Sequence, residues 1–106
     1  MRILVSAPNN GLAKGDVEQI HKDLEKIDRR LSDWHQEVTA EVRVTRPDGG
    51  MPGHHVVIEL HYGRNHLIAK EDSSDVGQAV RTAREEILRQ IKDRSRGGHS
   101  SFAKGF

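Results

Sequence analysis

Between Ser73 and Arg94 the apolar residues Val76, Ala79, Val80, Ala83, Ile87 and Ile91 recur at steps of three and four. At 100° per residue these positions make one compact stripe. The segment is therefore an amphipathic helix that must lay its stripe on another element. Ser73 or Ser74 is placed to cap the first turn, and Asp75 stands where the helix dipole favours a negative charge. Arg94 and Arg96 lie near the other end, and Gly97-Gly98 is the predicted stop. The charges outside the stripe are sorted. Arg81, Arg84 and Lys92 follow one flank with Arg89 further round, Glu86 and Asp93 follow the other, and Glu85 lies between.

A second stripe runs from Asp16 to about Trp34 through Val17, Ile20, Leu24, Ile27, Leu31 and Trp34, with Asp16 as its predicted cap and Trp34 assigned to the core. The remaining ordered stretches have a period of two. Arg2 to Ser6 reads as a short strand ended by the turn formers Pro8-Asn9-Asn10-Gly11. From Glu37 to Arg46, Val38, Ala40, Val42 and Val44 alternate with polar residues, which marks a half-buried strand. The glycine- and proline-rich RPDGGMPGHH then reads as a mobile hairpin loop. Val56, Ile58, Leu60 and Tyr62 form the next inward set. A two-residue turn at Gly63-Arg64 pairs Leu60 with Leu67 and Ile58 with Ala69, and sets His61 against His66 on the outer side. A slip of one residue would invert the faces.

Composition decides how these pieces are layered. Only 34% of the 106 residues are hydrophobic and 31% are charged, so the core must be economical. Two layers, with one sheet face left to water, suit that supply. The predicted fold is α+β in the order β-α-β-β-β-α: a four-stranded sheet with both helices on one face, and strands one and two parallel around the first helix. One domain spans 1–95; residues 96–106 (RGGHSSFAKGF) have no periodicity and are expected to be a disordered tail. The absence of cysteine removes disulfides and thiolate chemistry. The start MRILVSAPNN lacks the apolar run of a signal peptide, and no stretch approaches membrane-spanning length, so a cytoplasmic protein is expected.

Catalytic readings find little support. His54-His55, His61 and His66 sit on the third and fourth strands, and His61 and His66 could meet one ion with Glu59. A zinc site needs three or four oriented ligands, however, and these residues read as polar groups on a wet face; no metal or cofactor is expected. Glu85-Glu86 reads as solvated charge, and Gly49, Gly50 and Gly53 make no phosphate loop. The functional feature is the basic flank. Arg81, Arg84, Arg89 and Lys92 on the second helix meet Lys22, Lys26 and Arg29 on the first, interrupted by Asp33 and bordered by Glu18 and Glu25. Net charge is only +1, so distribution rather than total charge makes this patch. With no aromatic residue among the cations, the patch suits phosphate backbone and RNA shape rather than base stacking.

The order of elements and the second helix resemble the short ribosome hibernation-promoting factors, also called ribosome-associated inhibitor or sigma-54 modulation proteins. The residues that carry this run from His66-Leu67-Ile68-Ala69 through Glu71 and Asp72 to Asp75, Ala79 and Val80, then Ile87 and Arg89-Gln90-Ile91. Leu24-Glu25-Lys26-Ile27 adds to it from the first helix. The resemblance implies a non-catalytic protein, monomeric off the ribosome, that binds the small subunit and its ribosomal RNA in the channel used by messenger and transfer RNA. It implies no small-molecule substrate and no membrane. It also implies that basic side chains of the two helices face the RNA, with Lys26 and Arg89 at matching positions. Eleven residues follow Ser95, so the long extension by which some members pair ribosomes is not expected.

Three positions depart from the family pattern. Asp23 and Glu86 stand where basic residues are usual, and Gly77 replaces an aromatic beside Val76. Two reversals on an RNA-facing surface weaken phosphate binding, unless Arg81, Arg84 and Lys92 shift the patch round the helix. The alternative is a protein-interaction or regulatory module on the same fold. A small metal-dependent enzyme is the third reading.

Overall fold

A computed structural model describes residues 1–7, 12–34, 37–46 and 53–104, with side chains described as far as residue 94. The elements are β1 (Arg2–Ser6), α1 (Lys14–Arg30), β2 (Val38–Thr45), β3 (His54–Tyr62), β4 (Asn65–Ser73) and α2 (Val76–Lys104). The predicted turn at residues 8–11 and most of the loop after Arg46 lie outside the described residues. The strands form one mixed sheet in the order β1-β2-β3-β4. β1 runs parallel to β2, and the other two pairs are antiparallel.

Alternation fixes the register, because only one sheet face is covered. Leu60 pairs with Leu67, Ile58 with Ala69 and His61 with His66, as the two-residue turn requires. Gly63 holds that turn at φ 61°, a left-handed conformation that a Cβ would strain. Val38, Ala40, Val42, Val44, Val56, Ile58, Leu60, Tyr62, Leu67 and Ala69 all point into the core. The helices meet them with Ile20, Leu24 and Ile27 from α1 and Ala79, Val80, Ala83, Ile87 and Ile91 from α2, in one cluster. Fully burying a Leu or Ile side chain contributes about 1.5–3 kcal/mol, so these two stripes are what hold the helices to the sheet. The other sheet face is open and carries Leu4, Glu41, Arg43, Glu59, His61, His66, Ile68 and Lys70.

The helix ends differ from expectation. Ala13, not Asp16, occupies the N-cap of α1; Asp16 sits in the first turn and accepts a hydrogen bond from the Ala13 N–H at 3.1 Å. This is the reciprocal half of a capping box, which an alanine cannot complete. α1 ends at Arg30, short of Trp34. Leu31 leaves helical geometry, and the turn brings Trp34 edge-on to Tyr62, with centroids 5.1 Å apart at 86°. Trp34 remains 38% exposed, so it closes the end of the core rather than filling it. On α2 the capping oxygen belongs to Asp75, which accepts from Gly77 N–H at 2.9 Å, while Ser73 Oγ accepts from the Asp75 N–H. The helical backbone also passes through the expected stop at Gly97-Gly98 to Lys104. Glycine weakens a helix by about 1 kcal/mol relative to alanine but does not end one.

Candidate nucleic-acid interface

The two helices lie side by side on the sheet, and their seam decides what the predicted cations do. Asp23 occupies a stripe position of α1, three residues after Ile20 and four before Ile27. It is consequently buried to 8% exposure at the α1–α2 contact. Burial of a carboxylate demands partners. Gln19 donates to Asp23 Oδ1 at 3.1 Å, while Arg84 and Arg81 of α2 approach its two oxygens at 3.9 Å each. Arg84 also donates to the Asp23 carbonyl at 3.3 Å and to Glu85 at 2.9 Å. Its side chain is only 17% exposed. Gly77 belongs to the same arrangement. A Cβ at Gly77 would stand 3.1 Å from the Arg81 guanidinium, so glycine leaves that arginine room to lie back toward Asp23. Two of the departures from the family pattern, Asp23 and Gly77, thus build one inter-helix contact.

Further along the seam the helices part and leave an open groove of about 730 Å³, lined by Lys26, Arg29, Arg30, Glu85, Leu88, Arg89 and Lys92. Of the seven predicted cations, this groove gathers Lys26, Arg29, Arg89 and Lys92. Arg30 joins them, although the sequence reading passed over it. Arg81 and Arg84 lie outside, committed to Asp23, and Lys22 is exposed but does not line the groove. The expected run of Arg81, Arg84 and Lys92 along one basic edge is divided in the fold: the first two turn toward Asp23 at the helix contact, and the third faces solvent.

Carboxylates temper the groove. Lys26 donates to Glu85 at 3.2 Å, and Arg29 lies 3.9 Å from Glu25. Arg89 has its whole fork engaged: Nε and Nη2 on Glu86 at 3.0 and 2.6 Å, and Nη1 on Asp93 at 2.5 Å. The Arg89 bonds, with a further one from Gln90, hold the Glu86 carboxyl down at about 2. The Lys26 hydrogen bond, reinforced by Arg84, lowers that of Glu85. Among the described residues, Lys22, Arg30 and Lys92 have no ion-pair partner. Exposed pairs of this kind are worth about 0–1 kcal/mol and exchange readily, so a phosphate can displace a carboxylate from Arg89 or Lys26. The groove remains a place where five cations face outward around Glu85.

The fold and this groove define a class: a two-layer β-α-β-β-β-α domain with a cationic seam on its helical side. The model for the family described as sigma 54 modulation protein / S30EA ribosomal protein matches residues 13–96, and the chain belongs to that family. The resemblance read from the sequence is thereby established. Among solved structures, the chain is similar to the N-terminal domain of Protein Y from Thermus thermophilus, with a TM-score of 0.71 at 19% identity, covering 87% of this chain and 97% of that one. It is also similar to a ribosomal subunit interface protein from Coxiella burnetii, with a TM-score of 0.75 at 14% identity, covering 90% and 98%. At these identities the likeness shows the fold. No curated protein matches the chain significantly. No described helix is long and apolar enough to cross a membrane.

Proposed function

We propose that this protein is a cytoplasmic ribosome-hibernation or translation-inhibiting factor. It binds the small ribosomal subunit in the channel of messenger and transfer RNA and acts by occlusion. It catalyses nothing and takes no small-molecule substrate. The observation that carries this reading is the groove between α1 and α2, where Lys26, Arg29, Arg30, Arg89 and Lys92 converge. Lysine gives a point charge and arginine a planar fork for phosphate oxygens, and neither needs a particular base. Family membership supports the ribosome as the partner, as does a structural neighbour that is itself a ribosomal subunit interface protein. Lys22 extends the surface beyond the groove, while Arg81 and Arg84 serve it indirectly by fixing the spacing of the helices.

One observation favours the second reading, a protein-interaction module with weakened RNA binding. Lys26, Arg29, Arg81, Arg84 and Arg89 each have a carboxylate within 4 Å. Sucrose-gradient sedimentation of cell extract at low and moderate salt separates the two. Ribosome binding predicts the protein in the small-subunit fractions at low salt and its release at moderate salt, because each neutralised phosphate adds to the salt slope. A protein absent from those fractions at both salts, and held instead by a protein partner, would refute the ribosomal reading.

A further inference from the structure

We propose that Glu59, His61 and His66 form a binding site for a divalent transition-metal ion of the zinc type, on the open sheet face away from the helical groove. The pleat places Glu59 and His61, two residues apart on β3, on one face. The turn at Gly63-Arg64 then sets His66 of β4 directly across from His61. The two imidazole rings stack with centroids 4.3 Å apart and planes at 11°. Glu59 Oε2 lies 2.8 Å from His66 Nε2 and 3.9 Å from His61 Nε2. One donor atom from each residue falls within 4.8 Å of the other two.

Those separations bracket what an ion needs. A tetrahedral zinc with bonds of about 2.0–2.1 Å keeps its donors roughly 3.4 Å apart. The side chains are 31–47% exposed, so the stack can open: one imidazole turns about its side-chain bonds until both rings aim a nitrogen at the ion, which replaces the proton between Glu59 and His66, while the paired backbone stays fixed. Two imidazoles and a carboxylate are a donor set that zinc accepts and copper(II) binds more tightly. The open side of the sheet leaves the remaining position to water. A second observation points the same way. Glu41 of β2 stands directly opposite Glu59, and like charges so placed repel. A bound cation offsets that repulsion. His55, on the same face, is already tied to Asp72 at 2.6 Å and stands outside the site.

The test is calorimetric titration of the full chain with zinc chloride alone, followed by nitrogen NMR of the imidazoles. The expected result is one ion per chain, perturbation of the His61 and His66 ring nitrogens, and at least tenfold weaker binding in His61→Ala and in His66→Ala. Loss of a direct ligand costs no less than loss of the groups that orient it. His55→Ala should bind as the parent does. Both ligand variants are at exposed positions and should melt, metal-free, close to the parent. Binding only at millimolar zinc, or equal affinity in the parent, His61→Ala and His66→Ala, would overturn the proposal. Its outcome is independent of ribosome binding, because the helical groove is on the other side of the sheet.

Discussion

Replacing Glu86 by glutamine should tighten binding to the small subunit. In the free protein Arg89 spends Nε and Nη2 on Glu86 and Nη1 on Asp93. An RNA phosphate that takes the Arg89 fork must displace these partners. Exposed pairs are each worth about 0.2–1 kcal/mol, and the two-pronged contact with Glu86 belongs at the upper end. Removing that carboxylate therefore recovers about 1 kcal/mol at the moment of binding, or about fivefold in affinity. It also deletes a negative charge beside the groove. Affinity of purified small subunits for labelled protein, measured at several salt concentrations, should rise about three- to tenfold. The plot of log affinity against log salt should steepen by up to about one phosphate contact. Folding stability should drop by no more than about 1 kcal/mol, since Gln90 keeps its bond to the Ile68 carbonyl at 3.0 Å. Unchanged or weaker binding by a protein of parental stability would refute the placement of Arg89 against phosphate.

Three further outcomes are expected. Arg84→Ala should cost about 1–3 kcal/mol in a denaturant melt, because Asp23 is left buried with fewer partners; pairing it with Asp23→Asn should restore part of that, and strict additivity would show that the seam is not held by charge. The Glu86 carboxyl, followed by NMR, should titrate near 2 and move up toward 4.5 in Arg89→Gln. Because its folded value is the lower one, its stabilisation is present above about pH 4.5 and is lost as pH falls through about 2; a midpoint already near 4.5 in the parent would contradict the bidentate contact. Gly63→Ala should destabilise by about 1–2 kcal/mol, the cost of a Cβ at φ 61°, and an unchanged melt would mean that the turn relaxes freely.

Periodicity carried the fold, because burial on one face leaves a strand or a helix few alternatives. The pairing of Leu60 with Leu67 follows from alternation plus a two-residue turn, and it is what the sheet adopts. The helix ends were less legible. Asp75 rather than Ser73 or Ser74 caps α2, a choice among adjacent oxygens that depends on backbone angles. The candidate site was legible only in part. A helical wheel gives each residue an angle about its own axis, but not how far the partner helix covers it. Arg84 shares a flank with Lys92 on the wheel, yet in the fold one is tucked under Asp23 and the other faces water. The signal for this was available. Asp23 falls on the three-four spacing of the α1 stripe, and a charge on a stripe must be buried and paired. Read that way, Asp23 is a helix–helix clamp rather than a reversed charge on an RNA surface. The spacing also pointed to Arg30, which follows Lys26 by four residues and so lies on the same side of α1.

Small-subunit co-sedimentation of Arg30→Glu/Lys92→Glu tests the groove most directly. Neither residue has an ion-pair partner among the described residues, so the double change breaks no ion pair of the fold. Lys70→Glu, on the open sheet face, is the matched control. The double variant should lose affinity by roughly a hundredfold, as two reversed contacts at about 1–2 kcal/mol each require, while Lys70→Glu pellets with the subunit as the parent does. Undiminished pelleting of the double variant, or equal loss in Lys70→Glu, would contradict binding through the seam of the two helices.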